Sequence, residues 1–251
     1  MNRICQMTIP RCGLVAAVSL LTLALLSGCG LRTGYAPRHI PVHRGLGVAA
    51  APARVDSLTV VSWNIQYAEQ VGRALAEIQA DPRLMAADIL LLQEMDPAGS
   101  RYLAEALGYH HVHGSASVSP HSKKLFGNAV LSRWPIVGDA VMTLPHATPV
   151  TGHRRIAVAA DIDLGNGEIL RAISVHMATV VVTQDERFAQ ARALGDSLVG
   201  AAGMTIIGGD FNTVSDYEVN RLGRILRQVG LAPVRLPPGP TIRNRYKKLP
   251  G

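Results

Sequence analysis

The stretch Met204-Thr205-Ile206-Ile207-Gly208-Gly209-Asp210-Phe211-Asn212-Thr213 decides how this chain is read. Met204 to Ile207 reads as a buried strand, too short for a helix and bounded by glycine. Two glycines follow, so the strand delivers a carboxylate, Asp210, and a carboxamide, Asn212, at its end. Asp and Asn also favour ordinary turns and helix caps, so this stretch needs companions. The sequence supplies three. Leu58 to Trp63 is a strand candidate ending at Asn64. Ile89 to Leu92 is a continuous apolar run delivering Gln93 and Glu94, and Ile169 to Val175 runs into His176. Strand ends gathered at one sheet edge make a rigid rim, where ligand sites commonly sit.

Between these strands the pattern alternates. Val71, Leu75 and Ile78 share a helical face in a segment that stops near Asp81-Pro82. Ser100 to Leu107 reads as a short helix with Ser100 as its N-cap. Tyr109–His113, Ala129–Ser132 and Ile136–Thr143 are further strand candidates. Val158, Ala160, Ile162 and Leu164 alternate up to Gly165-Asn166-Gly167, after which Ile169 resumes an apolar strand, the signature of a hairpin. Gln184–Val199 and Tyr217–Val229 read as helices. Hairpins mixed with strand–helix alternation predict layered sheets flanked by helices. His110, His111 and His113 flank no acidic partner and read as an exposed strand, and Lys123 and Lys124 as a solvated loop.

The three cysteines, Cys5, Cys12 and Cys29, all fall in the first 29 residues. The remainder can therefore form no internal disulfide, thiolate nucleophile or Cys-ligated zinc site. Arg3 and Arg11 precede an apolar run, Leu14 to Leu26, that is too short to span a bilayer comfortably and ends in small residues before Cys29, as in a secretory signal. Leu26-Ser27-Gly28-Cys29 resembles the lipobox of bacterial lipoproteins. That resemblance implies residues 1–28 as signal peptide, lipidation of Cys29, and a membrane-anchored lipoprotein of the bacterial cell envelope facing the periplasm or exterior. Gly30 after the cysteine favours the outer membrane in a Gram-negative cell. Residues 29–55, rich in Gly, Pro, Ala and Arg, read as a flexible tether carrying solvated His39 and His43. The folded domain is expected over 56–251. The chain is 48% hydrophobic, which supplies a sizeable core. Its net charge of +7 becomes +5 without the leader's two arginines, a modest excess that suits phosphate-bearing partners or anionic membranes.

Hydrolysis of a phosphate ester needs a divalent cation, a base that prepares water, and donors for the phosphoryl oxygens. Carboxylate and amide oxygens are hard ligands that suit magnesium, which keeps several waters and takes few protein ligands. Glu94, Asp210, Asn64 and Asn212 meet that demand.

Ser62-Trp63-Asn64-Ile65-Gln66, Leu92-Gln93-Glu94, Gly127-Asn128-Ala129-Val130-Leu131-Ser132-Arg133, Val175-His176-Met177 and Gly208-Gly209-Asp210-Phe211-Asn212-Thr213 resemble, in order and separation, the endonuclease/exonuclease/phosphatase superfamily. Arg155-Ile156-Ala157-Val158 resembles its arginine-led strand, with Arg154 as the alternative arginine. The resemblance runs from about Leu58 to Thr241. It implies a DNase I-like fold: a four-layer α/β sandwich of two facing mixed β-sheets flanked by helices. It implies that Glu94 binds Mg2+ (or Mn2+), helped by Asn64. Asp210 would orient or deprotonate the attacking water, Asn212 and His176 would bind the phosphate, and Arg155 would support the site. The substrate would be a phosphate ester (nucleic acid, a phospholipid head group or an inositol phosphate), and the protein a monomer.

Family members continue beyond this region to further strands and a terminal Asp-His pair. Here no histidine follows His176, no acidic residue follows Glu218, and Pro237 to Gly251 ends in Arg243, Arg245, Lys247 and Lys248. The expectation is a domain incomplete at its C-terminus and an enzyme lineage whose activity in this chain is reduced. The alternatives are a divergent enzyme and an inactive member that binds phosphorylated ligands.

Overall fold

In the computed structural model, residues 40–48, 57–119, 123–149, 151–200 and 203–234 are described. The leader, Cys29 and the segment Pro237 to Gly251 lie outside them. Five strands form the first sheet: β1 (Val42–Gly45), β2 (Val60–Asn64), β3 (Ile89–Met95), β4 (His110–Val118) and β5 (Leu125–Ser132), in the order β1-β4-β5-β3-β2. Four form the second, β6 (Ile136–Thr143), β7 (Ile156–Asp163), β8 (Ile169–His176) and β9 (Met204–Asp210), in sequence order. The pairs β2/β3 and β8/β9 are parallel and the others antiparallel. Helices α1 (Val71–Ala80), α2 (Pro82–Met85) and α3 (Pro97–Leu107) belong with the first sheet. Helices α4 (Gln184–Asp196) and α5 (Asp216–Arg227) belong with the second.

The continuous apolar run of β3 is explained by burial on both faces. Ile89 and Leu91 pack between the sheets with Val112, Val130, Val158, Ile162 and Ala172. Leu90 and Leu92 face the other way, under Leu75, Ile78 and Leu103 of α1 and α3. On the far side Ala157, Ile173 and Val175 pack beneath Ala191, Leu194 and Leu222 of α4 and α5. Helix, sheet, sheet, helix is the four-layer sandwich expected.

The interior between the sheets also holds polar groups. Gln93 Nε2 donates to Ser174 Oγ (3.0 Å) and Leu91 O (2.9 Å), and Ser174 Oγ donates to Leu92 O (2.9 Å). Asn128 Nδ2 donates to Ile156 O (2.9 Å) and Ser174 O (3.1 Å). All three side chains are buried. In a low-dielectric interior such bonds hold their groups in one arrangement, because an unpaired partner would be costly.

Three local expectations change. Helix α3 begins at Pro97, capped by Asp96, whose carboxylate accepts from Gly99 N; Ser100 instead donates to Asp96 O (2.9 Å). Proline's fixed φ favours the first helical position, so Asp-Pro outranks a later serine as a start signal. Part of the stretch read as a tether forms β1, which places His43 opposite His113 and Gly45 opposite His111. Arg44 reaches the second sheet and donates twice to Asp139. Finally, His111 and His113 are buried rather than exposed. The strand carrying them is flanked by β1 and β5, and α3 packs over it. A Cβ on Gly45 would fall 2.3 Å from the His111 ring, so glycine there makes room for the imidazole.

Candidate functional site

The rim forms where the ends of β2, β3, β8 and β9 meet. Alternation along β3 would turn Met95 inward beside Gln93. Met95 packs outward under the helices instead, because β3 carries a bulge between Gln93 and Met95. Glu94 is the extra residue, in left-handed conformation at φ 58°. Bulges re-aim side chains beside functional sites, and here the bulge frees the Glu94 carboxylate from strand alternation. Its Oε2 accepts from Tyr67 N (3.1 Å), and its Oε1 lies 3.9 Å from His176 Nε2.

Asn64 ends β2. Its Nδ2 donates to Asp210 Oδ2 (3.1 Å), and its Oδ1 accepts from Gln66 N (3.0 Å). Gln66, Tyr67 and Ala68 then all have positive φ, 44°, 56° and 54°. Left-handed backbone costs a non-glycine residue about 1–2 kcal/mol. The amides of Gln66 and Tyr67 are held by Asn64 and Glu94, so the two rim side chains fix this strained turn. Tyr67 also packs edge-on against Phe126, which meets His153 in turn.

Parallel pairing of β8 and β9 sets His176 beside Asp210. Gly209 is required there: a Cβ would lie 1.9 Å from Val175 O. Asp210 Oδ2 lies 3.9 Å from His176 Nε2, so both carboxylates flank one imidazole nitrogen. Asp210 Oδ1 accepts from Asn212 N (3.0 Å). Asn212 is itself left-handed (φ 49°), and its Nδ2 donates to Met177 O (2.8 Å). One of its amide N–H groups is thus committed to backbone.

Arg155, not the exposed Arg154, enters the site. Its Nη1 lies 3.1 Å from Nδ1 and 3.2 Å from Nε2 of His176. Burial, then the Arg155 charge, drives the His176 pKa well below its ordinary value, so the imidazole is neutral and its approaches to Glu94 and Asp210 are not ion pairs. Burial pushes the Glu94 carboxyl up, against the hydrogen bond from Asn64, the charge of Arg155 and the Tyr67 amide; Asp210 pushes it further up. A desolvated carboxylate beside a second one is electrostatically suited to a cation.

Among the described residues, no three or more His, Cys, Asp or Glu side chains form a ready cation cage. The converging donors are the Glu94 and Asp210 carboxylates and the Asn64 carboxamide. Such an open, oxygen-rich set fits an ion that keeps most of its waters. Asn64 presents its nitrogen to Asp210, so it would ligate only with its carboxamide turned over, an orientation set by the hydrogen-bond network.

Three buried polar residues behind the rim escape motif reading: Arg187 and Gln190 on α4, and Glu218 on α5. The signal available was a polar pair at i and i+3 beside Phe188, Ala191 and Leu194, on the face that periodicity assigns to the core.

The profile of the Endonuclease/Exonuclease/phosphatase family matches residues 61–250. A UPF0294 protein of Vibrio parahaemolyticus is 28% identical over 188 residues, covering 72% of this chain and 62% of that protein. The chain therefore spans less than two thirds of that relative. Among solved structures, zebrafish (D. rerio) TDP2 complexed with single-strand DNA product superposes with a TM-score of 0.51 at 24% identity, over 66% of this chain and 64% of that one. An endonuclease/exonuclease/phosphatase from Beutenbergia cavernae gives 0.52 at 23% identity, over 69% and 53%. These likenesses show the DNase I-like fold, and enzymes of this family generally depend on a divalent metal. A profile match across three quarters of the chain settles its kinship: this chain belongs to the endonuclease/exonuclease/phosphatase family.

Proposed function

We propose that the chain is a metal-dependent hydrolase of phosphoester or phosphodiester bonds. The observation that carries this reading is the pair of carboxylates, Glu94 and Asp210, each 3.9 Å from the neutral His176 imidazole that Arg155 backs. Glu94, with Asn64, would hold magnesium or manganese, which would supply charge neutralisation at the phosphoryl oxygens. Asp210 orients the attacking water and accepts its proton, its own geometry fixed by Asn64 Nδ2 and Asn212 N. His176, neutral at pH 7, donates a hydrogen bond to a phosphoryl oxygen, and Arg155 adds positive charge where negative charge develops. Asn212 contributes its remaining amide hydrogen to the same oxygens.

The test is hydrolysis of bis(p-nitrophenyl) phosphate by the full chain with and without Mg2+ or Mn2+. Glu94→Ala and Asp210→Ala should each lower turnover by about 100-fold or more while circular dichroism still reports a folded domain. Phosphate binding without metal-dependent turnover in the wild type would support the alternative, a binding module on a hydrolase scaffold. A dinucleotide, a phospholipid and an inositol phosphate assayed in parallel would separate the three substrate classes.

We further propose that the protein is exported and held at the bacterial envelope as a monomer by a lipid on Cys29. Cys29→Ser should abolish palmitate labelling and release the protein from the membrane fraction. Retention of label and membrane association would sink the anchor.

A further inference from the structure

The loops that leave β8 and β9 are not held by rim residues alone. Arg187 Nη1 donates to Asn212 O (2.8 Å) and Glu218 Oε2 (3.2 Å), and its Nη2 donates to Glu218 Oε1. Glu218 Oε2 accepts from Val214 N (2.8 Å) and Oε1 from Gln184 Nε2 (3.0 Å). One turn along α4, Gln190 Oε1 accepts from Ala178 N (2.9 Å), while its Nε2 donates to Pro145 O (2.7 Å) and His146 O (3.2 Å). Arg187, Gln190 and Glu218 are all buried. Burial pushes the Glu218 carboxyl up, and its hydrogen bonds from Arg187, Gln184 and Val214, with the Arg187 charge, override this and leave it at about 2, so the pair is ionised.

We infer that Arg187, Glu218 and Gln190 are positioning residues that hold His176, Asp210 and Asn212 in register. This rests on reading the rim as a hydrolase site. Asn212 sits in left-handed backbone, and three groups fix it: Asp210 Oδ1 on its nitrogen, Met177 O on its side chain, and Arg187 on its oxygen. Gln190 secures Ala178, two residues beyond His176. A buried ion pair is seldom the most stable filling for its site, since a matched apolar pair is often neutral or better. What an apolar pair cannot do is donate to Asn212 O or accept from Val214 N.

That difference separates positioning from mere stability. Arg187→Met alone strands the buried Glu218 carboxylate and puts folding at risk, so the informative variant is the double replacement Arg187→Met/Glu218→Leu, with Arg187→Lys as the conservative control. In the full chain, the double variant should melt near wild type. Amide exchange at residues 212–214 should nevertheless speed up about tenfold or more relative to β8, because Asn212 O has lost its Arg187 donor and Val214 N its Glu218 acceptor. In the phosphodiester assay kcat should fall about 10- to 100-fold with KM within about threefold, since misplacement of this kind acts on the reacting geometry. Arg187→Lys, which keeps a charge and a donor, should recover part of both. Wild-type exchange at 212–214 in a folded double variant overturns the inference, and so does wild-type kcat. If the wild type hydrolyses nothing, the hydrolase reading fails by itself, and exchange still decides whether these residues hold the loop.

Discussion

Acidification from pH 7 to pH 5 should destabilise this domain, and His113 carries a share of that loss that can be isolated. His113 is fully buried on β4. Its Nε2 meets Met95 O at 3.0 Å, and its Nδ1 has no hydrogen-bond partner among the described residues. Burial holds its pKa down at about 4; the Met95 carbonyl and Asp96 oppose that shift, and His43 and His111 reinforce it. An unfolded histidine titrates near 6.5. The folded value is depressed, so the unfolded chain binds the extra proton first. The stability contribution is complete above about pH 6.5, falls as the pH drops, and levels out below about 4. At about 1.4 kcal/mol per pH unit the whole loss is about 3 kcal/mol, of which about 2 kcal/mol has gone by pH 5. With an m-value of about 2 kcal/mol/M, the urea midpoint should fall by about 1 M between pH 7 and 5. His113→Gln supplies the comparison, because its amide can still donate to Met95 O but carries no charge. The variant should be weaker at pH 7 and show a flatter profile; subtraction cancels the carboxylates and the other buried histidines, His111 and His176, whose pKa values burial also lowers. Equal losses in wild type and variant over this range would refute the reasoning.

Two further perturbations probe the scaffold. Asn128→Leu takes the side-chain donor away from both Ile156 O and Ser174 O, and urea unfolding should register a loss of about 2–4 kcal/mol. Gly209→Ala drives a Cβ against the Val175 carbonyl and should cost about 3 kcal/mol or more, read as a large drop in melting temperature or loss of soluble protein. Gly208→Ala is the milder comparison: its Cβ would lie 2.7 Å from Leu91 Cδ1, the far end of a side chain, and 3.4 Å from Ser62 Cβ, with no backbone atom against it, so the cost should be about 1–2 kcal/mol.

The contrast between these glycines bears on what a sequence discloses. Strand ends were legible because a run such as Ile89 to Leu92, buried on both faces, stands out in composition, and a polar residue at its end stands out against it. The bulge that aims Glu94 was not legible, because it depends on β3 pairing with Gly127 and Asn128 across the sheet. The choice of Arg155 over Arg154 was open in sequence and is settled by which of them faces His176. Strand β1 escaped for a different reason. Its four residues hold one apolar side chain, Val42, with His43 and Arg44 exposed, too little for a period to show, and the strand exists because β4 offers an edge and Asp139 receives Arg44. His111 and His113 were misread because nothing in His-His-Val-His indicates that α3 will cover that face. Arg187 and Gln190 failed in the same way, since a polar side chain on a core-facing helix position looks like noise until its backbone partners are known.

The position of the site follows from where the two sheets are tied together. Among the described residues β2 and β9 each have a single strand partner, and the terminal residues of these edge strands, Asn64 and Asp210, bond each other from sheet to sheet. Just beneath them Gln93 donates to Ser174 in a second, buried tie. Gln93 is the residue before Glu94, and Ser174 lies two before His176. That tie therefore sets how far the Glu94 carboxylate stands from the imidazole, and the outer tie sets where Asp210 stands against Asn64. Asn128 braces the inner tie by holding Ser174 O, so a residue that touches no rim side chain in the hydrogen-bond network governs the spacing on which the rim chemistry depends. The packing of the two sheets sets the spacing of the rim, and the anchors on α4 and α5 then hold the loops that leave β8 and β9 against it.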